Sequence, residues 1–259
     1  MAHKTLVNGT SYEISGGKTL VNGTAYSISG GKTLVGGTAY EIGFGTPIGD
    51  LAVGSSVYMN VNGVPTEFLV VHQGLPDATL YDSSCDGTWL VMKNIFSKMA
   101  WDSKNNDYEN SDIKSSLDSM YIMFDVYKSI KQVKLPYQKG TGSGGYVSSG
   151  ANGLSSRMFL LSAKEVGFTT SMTPADGVCL DYFSGLTSSS VEQKRIAYYS
   201  GSADYWWLRS ASTYNAQNSW AVNENGQVTM MTITNSNGFR PAMILPSDMK
   251  IDENFNVIA

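Results

Sequence analysis

The sequence predicts an α+β domain preceded by three short β-hairpin repeats. Three observations carry this: a unit of 14 residues repeated three times at the N-terminus, two early segments with helix signatures, and a Trp-rich, turn-rich last third patterned as a twisted antiparallel sheet.

The repeats come first. Residues 4–17 read KTLVNGTSYEISGG, residues 18–31 KTLVNGTAYSISGG, and residues 32–45 KTLVGGTAYEIGFG. Each holds an apolar pair, then Asn-Gly or Gly-Gly, then an alternating T-x-Y-x-I run. Asn-Gly between alternating runs is a strong hairpin signal, because the tight turn needs positive φ at both central residues. The Asn-Gly-Thr triplets at 8–10 and 22–24 match glycosylation sequons, but the same spacing recurs as Gly36-Gly37-Thr38, so a turn explains them. One such hairpin cannot bury its apolar face alone. Residues 1–46 therefore read as an attachment or oligomerisation module, a trimer being one arrangement that fits, and residues 47–259 as one globular domain.

Within that domain, 57–61 and 66–72 flank Asn62-Gly63 as a further hairpin, and 88–93 (TWLVMK) reads as a buried strand. Ile113, Leu117, Met120, Tyr121 and Phe124 share one helical face, with Ser111 or Asp112 as N-cap. Residues 139–153 are a Gly/Ser loop. The run 158–161 (MFLL) reads as a strand. Ser162 and Glu165 form a capping box that predicts a second main helix, and 190–198 suggests a shorter one. Strands follow at 205–209, 219–222, 227–233 and 238–245, with Pro241 at an edge or irregular position.

Composition limits the function. Lys plus Arg number 18 and Asp plus Glu 22, a net charge of −4. No basic excess is available to neutralise phosphates, which argues against nucleic-acid binding. Charged residues are 15% of the chain, against about 25% in an average domain, so the surface is polar through Ser, Thr, Asn, Gly and Tyr. No apolar run reaches signal-peptide or membrane-spanning length, so a soluble chain without membrane insertion is expected. Cys85 and Cys179 are too few for a disulfide scaffold and read as free thiols, with a bridge as the alternative.

Catalytic and metal signatures are sparse. His3 sits in the terminal tail, and His72, at the end of an apolar strand, reads as a packed imidazole. No H-E-x-x-H, C-x-x-C, P-loop or G-x-S-x-G occurs. Asp102, Asp107, Glu109 and Asp112 cluster before the first helix without the ordered spacing of a calcium loop, and read as a helix start favoured by the macrodipole. No cofactor is expected. Tyr205-Trp206-Trp207 is either a stacking platform or core; alternation along a strand sends at least one Trp inward. Arg209 and Arg240 lie within apolar strands and require partners. Residues 211–237 hold six Asn with Ser, Thr, Tyr, Gln and Met, and Glu224 as the one charge. This is paratope-like chemistry, in which Tyr offers rigid contact and Ser and Asn adaptable hydrogen bonds. A polar β-meander is the plain alternative.

Four motifs occur in order: Tyr108…Ser111-x-Ile113…Leu117, Met158-Phe159-Leu160-Leu161-Ser162-x-x-Glu165, Tyr205-Trp206-Trp207-Leu208-Arg209-Ser210 and Gly238-Phe239-Arg240-Pro241-Ala242. Over residues 48–246 the chain thereby resembles C-type lectin-like proteins of gut bacteria and phages, relatives of the formylglycine-generating enzyme fold that serve as variable proteins of diversity-generating retroelements. The N-terminal repeats resemble those of phage structural or tail-associated proteins.

The resemblance implies a C-type lectin-like domain with two main helices. It implies a non-enzymatic display protein on a phage tail or virion that binds a host-surface, protein or glycan ligand. Adenine-directed mutagenesis, whose main targets are Asn codons, would diversify Thr213, Tyr214, Gln217, Ser219, Ala221, Gln227, Thr229, Met230, Met231 and Thr232, with Trp220 and Gly226 as scaffold. Gln217, Gln227, Met230 and Met231 require template codons other than Asn, such as Lys or Met. No Cys follows Cys179, which departs from the enzyme relatives. The Glu-Pro-Asn, Gln-Pro-Asp and Trp-Asn-Asp motifs of calcium-dependent sugar lectins are absent. An enzyme of the formylglycine-generating type and a purely structural tail or fibre component are the competing expectations.

Overall fold

A computed structural model describes residues 45–186 and 192–258 in full and, of the first 44 residues, the backbone of six strands. Those six strands form three separate antiparallel hairpins, pairing Lys4–Val7 with Thr10–Glu13, Lys18–Val21 with Thr24–Ser27, and Gly31–Val35 with Thr38–Ile42. The turn residues between them lie outside the described residues.

The main body is built on two sheets. β1 (Ser56–Val61) and β2 (Val64–Gln73) form the expected hairpin, and Asn62 and Gly63 both take positive φ, 50° and 77°. β3 (Thr88–Met92) follows, then β4 (Ser97–Met99). The last third supplies β5 (Trp206–Ala211), β6 (Asn218–Val222), β7 (Val228–Thr232), β8 (Asn237–Phe239) and β9 (Ala242–Leu245). The order is β9-β3-β2-β1 in one sheet and β4-β8-β5-β6-β7 in the other. Arg240 and Pro241 interrupt the final ribbon between β8 and β9, where a proline without an N–H fits, and the Pro241 carbonyl accepts from Met92 N at 2.9 Å.

The inner strands Thr88–Met92 and Trp206–Ala211, and Ala242–Leu245 beside them, are buried along their whole length, covered on both faces, whereas the edge strand Ser56–Val61 alternates between buried and accessible positions. Trp207, Leu90, Met92, Phe68 and Met243 enter one core cluster. Trp206, Trp89, Val91, Ala242 and Ile244, their neighbours in sequence, enter the other. Both tryptophans are fully buried and their indole N–H groups are satisfied: Trp206 donates to Arg195 O at 2.9 Å and Trp207 to Met99 O at 3.0 Å. Both tryptophans thus belong to the core, and neither offers a stacking platform.

The expected α+β class with two main helices is corrected: the chain is mostly β, with 34% strand, and among the described residues one helical segment reaches 12 residues, the other helical pieces being single 3-10 turns. That segment is α1 (Asp112–Met120) and the 3-10 turn Tyr121–Met123 that continues it. Ser111 caps α1 by accepting from Lys114 N at 3.2 Å, and Ile113, Leu117 and Met120 are buried against the first cluster, each worth about 1.5–3 kcal/mol. At the expected second helix, the capping box forms: Ser162 N donates to Glu165 Oε2 at 2.8 Å and Glu165 N to Ser162 Oγ at 3.1 Å. It opens a single turn. Gly167, at φ +77°, ends it, and Phe168 N closes back onto Ala163 O at 2.9 Å. Start and stop signals lie too close for a helix to grow. At 190–198, residues 190–191 lie outside the described residues, and the rest holds one 3-10 turn, Gln193–Arg195, and the short strand Tyr198–Tyr199. The expected strand at 158–161 reduces to one bridge, Phe159 to Ala242. The Gly/Ser loop contains the short strand Tyr146–Ser148, paired with Tyr137–Lys139.

Candidate functional site

The segment 212–218, which runs from the end of β5 to the first residue of β6, projects from the covered sheet, and one buried side chain holds it. Asn106 is inaccessible to solvent. Its Nδ2 faces three carbonyl oxygens, of Ser212 at 3.0 Å, Asn215 at 3.1 Å and Asn218 at 2.8 Å. Two hydrogens thus serve three acceptors. Its Oδ1 accepts from Gly142 N at 3.2 Å, joining the Gly/Ser loop to the same anchor. A Cβ at Gly142, which has φ +48°, would lie 3.3 Å from Ala216 N, so glycine permits this approach.

Local bonds complete the loop. Asn215 Oδ1 accepts from Gln217 N at 2.9 Å, Gln217 Nε2 donates to Lys104 O at 3.0 Å, and Thr213 Oγ1 donates to Met172 O at 3.0 Å. Tyr214, so mounted, is 66% exposed. The result is a backbone fixed from beneath and uncharged side chains presented above. Such an arrangement can bind by shape and hydrogen bonding with little ordering cost.

The candidate residues divide by position. Tyr214, Gln217 and Thr232 are exposed, while Thr213, Gln227, Thr229, Met230 and Met231 are half-buried. Ser219 and Ala221 are corrected: both are fully buried. β6 lies between β5 and β7 with both sheet faces covered, so alternation gives it no outward face, and Ser219 Oγ donates to Ser210 O at 2.9 Å. Met231 packs on the first cluster and Met230 on the second, so β7 shows its two methionines on opposite faces.

Part of the Asn density also has a structural cause. Asn223 Oδ1 accepts from Asn225 N at 3.0 Å and Gln227 N at 2.9 Å, closing the β6–β7 turn. Asn237 is buried. Trp220 is 5% exposed, with its ring 5.0 Å from that of Phe168. At Gly226, with φ +79°, a Cβ would fall 2.2 Å from Glu192 O.

Beneath the loop lies a buried polar network that the sequence announced only through Arg209. Its guanidinium pairs with both Glu165 oxygens at 2.5 Å and also donates to Leu160 O at 2.9 Å, Pro136 O at 3.2 Å and Asp176 O at 2.7 Å. Tyr81 OH donates to Glu165 Oε1 at 2.7 Å. Ser210 Oγ donates to the Asp176 carboxyl, 2.8 Å from its Oδ2, and accepts from Ala163 N at 2.8 Å. Burial pushes the Asp176 carboxyl up to about 7, partly offset by Arg209 and the Ser210 hydrogen bond. Arg240 differs. It lies 4.6 Å over the Trp206 ring, and its Nε donates to Met92 O at 3.0 Å. Nη1 has no hydrogen-bond partner among the described residues, and burial lowers this guanidinium to about 10. The Met92 hydrogen bond and the cation–π contact are the partners that an Arg within an apolar strand requires.

The remaining reactive groups are dispersed. Cys85 and Cys179 are both free thiols. Burial pushes Cys85 up to about 12 and also raises Cys179, so both are protonated near neutrality. Cys179 borders an open cleft of about 450 Å³ with Lys164, Gly167 and Gly177. His72 Nδ1 lies 2.9 Å from Asp181 Oδ2, close but not aligned as a hydrogen bond. The acidic cluster before α1 is engaged locally. Asp102 Oδ1 accepts from Lys104 N at 2.6 Å and Asn105 N at 3.0 Å, and Glu109 Oε2 accepts from Tyr137 OH at 2.8 Å. Among the described residues, no group of three His, Cys, Asp or Glu side chains is placed to hold a metal ion. No helix among them is long and apolar enough to cross a membrane.

Asn106 carries no local sequence signal: it stands within the polar run KNNDYEN.

Fold and site together define a mostly-β domain whose rigid two-sheet core carries a clamped, uncharged surface loop. The chain belongs to the family described as Domain of unknown function (DUF6273), which matches residues 86–247, more than half of its length. No curated protein and no solved structure matches it.

Proposed function

We propose that the protein is a non-enzymatic display protein that binds a host-surface ligand, protein or glycan, through the loop 212–218 and the adjoining β7. Thr213, Tyr214 and Gln217 are the diversifiable contact residues of the loop, and Thr229, Met230, Met231 and Thr232 those of the strand. The hairpin repeats attach the domain to a phage tail or virion and bring copies together. The observation that carries this reading is the Asn106 clamp. It fixes the loop backbone from a buried side, so that the residues above can change without loss of the fold. The resemblance to variable proteins of diversity-generating retroelements supports the same reading.

The test is binding of the fluorescently labelled full chain to intact gut bacterial cells. The wild type stains a subset of cells, and replacing Tyr214, Met230 and Met231 together with Ala abolishes staining. Unchanged staining by the triple variant rejects the site. At the gene level, the reading expects a neighbouring reverse transcriptase and a near-copy of the 3′ coding segment differing at adenines.

A further inference from the structure

The two main sheets have four edges, and three of them are closed or charged. β1 is covered at Tyr58, whose N donates to Phe255 O at 2.9 Å, and at Asn60, whose O accepts from Asp125 N at 3.1 Å. β9 is covered by Phe159, which exchanges two bonds with Ala242, and by Lys131 N, which donates to Ile244 O at 3.0 Å. β4 is three residues long and carries Lys98, paired with Asp204 at 2.7 Å. β7 is the fourth edge. It is five residues long, unbulged against β6, and contains neither charge nor proline. Protein sheets ordinarily blunt such an edge, because its open N–H and C=O groups template another strand.

The register identifies those groups. Asn223 N bonds Gln227 O at 2.8 Å and Ile233 N bonds Gln217 O at 3.0 Å, so the bonded pairs between are 221 with 229 and 219 with 231. Val228, Met230 and Thr232 therefore aim their N–H and C=O groups away from β6. Of these six groups, the Thr232 carbonyl accepts from Asn235 N at 3.0 Å, and the other five have no hydrogen-bond partner among the described residues.

We infer that β7 is the pairing edge for a second copy of this chain, joined antiparallel about a two-fold axis through Met230. In that register Met230 faces Met230 of the second copy, and Val228 faces Thr232. Each of the three pairs can exchange two main-chain hydrogen bonds, the Thr232 carbonyl using its second lone pair. The pairing is self-complementary, as a two-fold interface requires. No charge meets its own copy across it, and the facing side chains are apolar or β-branched. One continuous sheet then runs through both copies. Pairing sets Met230 and Thr232, two of the proposed contact residues, at the seam, so the contact surfaces of the two copies adjoin and the assembly is bivalent through its two loops 212–218. This goes beyond the proposed function and stands without it.

The test is hydrogen exchange on the full chain across a concentration series, with mass by light scattering. Exchange at the Val228, Met230 and Thr232 amides is expected to slow about tenfold or more as concentration rises. Met230→Pro removes one outward N–H while sparing the β6 ladder; it should abolish that slowing and halve the mass. Met230→Lys, which sets two ammonium groups face to face, should do the same should the proline variant fail to fold. Two results overturn the inference: free exchange of these amides at every concentration, or their protection at a mass that neither variant changes.

Discussion

Asn106→Ala is the sharpest single perturbation of the loop clamp. It deletes one buried amide that serves three carbonyls and accepts one backbone N–H, four hydrogen bonds in all. Each such bond contributes about 1 kcal/mol net, and a buried group left unpaired costs about 1–3 kcal/mol. The loop can open and let water reach some of the orphaned carbonyls, so the expected loss is about 2–4 kcal/mol. For a domain of this size that corresponds to a melting temperature lower by about 5–15 °C. Asn106→Asp should be at least as harmful, because a carboxylate offers no donor to the three carbonyls. The assay is urea denaturation with hydrogen exchange. Amides at 214–218 and 142 should exchange faster, while those of β3 and β5 keep their order. A loss below about 1 kcal/mol, within the range of an ordinary surface substitution, with unchanged exchange at 214–218, refutes the clamp.

Three further outcomes follow from the core beneath. Arg209→Met leaves Glu165 buried and uncompensated and should cost about 3–5 kcal/mol in urea denaturation, and adding Glu165→Leu should recover part of that loss. Asp176 has a folded value of about 7 against 3.8 for the free side chain, so folding takes up a proton between these values. Its contribution is full below pH 4 and is lost as the pH rises through 7, by about 4 kcal/mol for a shift of this size. Asp176→Asn should therefore gain stability relative to wild type between pH 4 and pH 8, as read from denaturation midpoints at both pH values; an unchanged difference contradicts the assignment. Gly226→Ala, which drives a Cβ into Glu192 O, should destabilise measurably in a thermal melt, whereas the same substitution at Gly63, with open space around it, should suffer only from its positive φ.

Local chemistry was legible in the sequence and long-range pairing was not. The Asn62-Gly63 turn, the capped face of α1 and the break at Pro241 follow from residues within a few positions of each other. The capping box at Ser162 marks a helix start, but the stop at Gly167 follows within one turn, so no second main helix forms there. Arg209 inside an apolar strand signalled a partner. That the partner is Glu165, the residue that completes the capping box, depends on how distant segments meet. Ser219 and Ala221 are among the positions that the resemblance would diversify, but β6 runs between two strands with both faces covered, which leaves them no outer side. Asn106 meets Ser212, Asn215 and Asn218 across more than a hundred residues, a closeness that no spacing rule encodes.

The central claim is that loop residues serve binding while the clamp and core serve the fold. Saturation mutagenesis at Thr213, Tyr214, Gln217, Ser219 and Ala221, with each variant scored for protease resistance and for staining of intact cells, separates the two most directly. The account predicts that variants at 214 keep wild-type resistance, that variants at 213 and 217, which each give up one exposed hydrogen bond, lose little of it, and that all three change staining, while variants at 219 and 221 lose resistance. Loss of resistance throughout the loop, or staining indifferent to residues 213, 214 and 217, would contradict it.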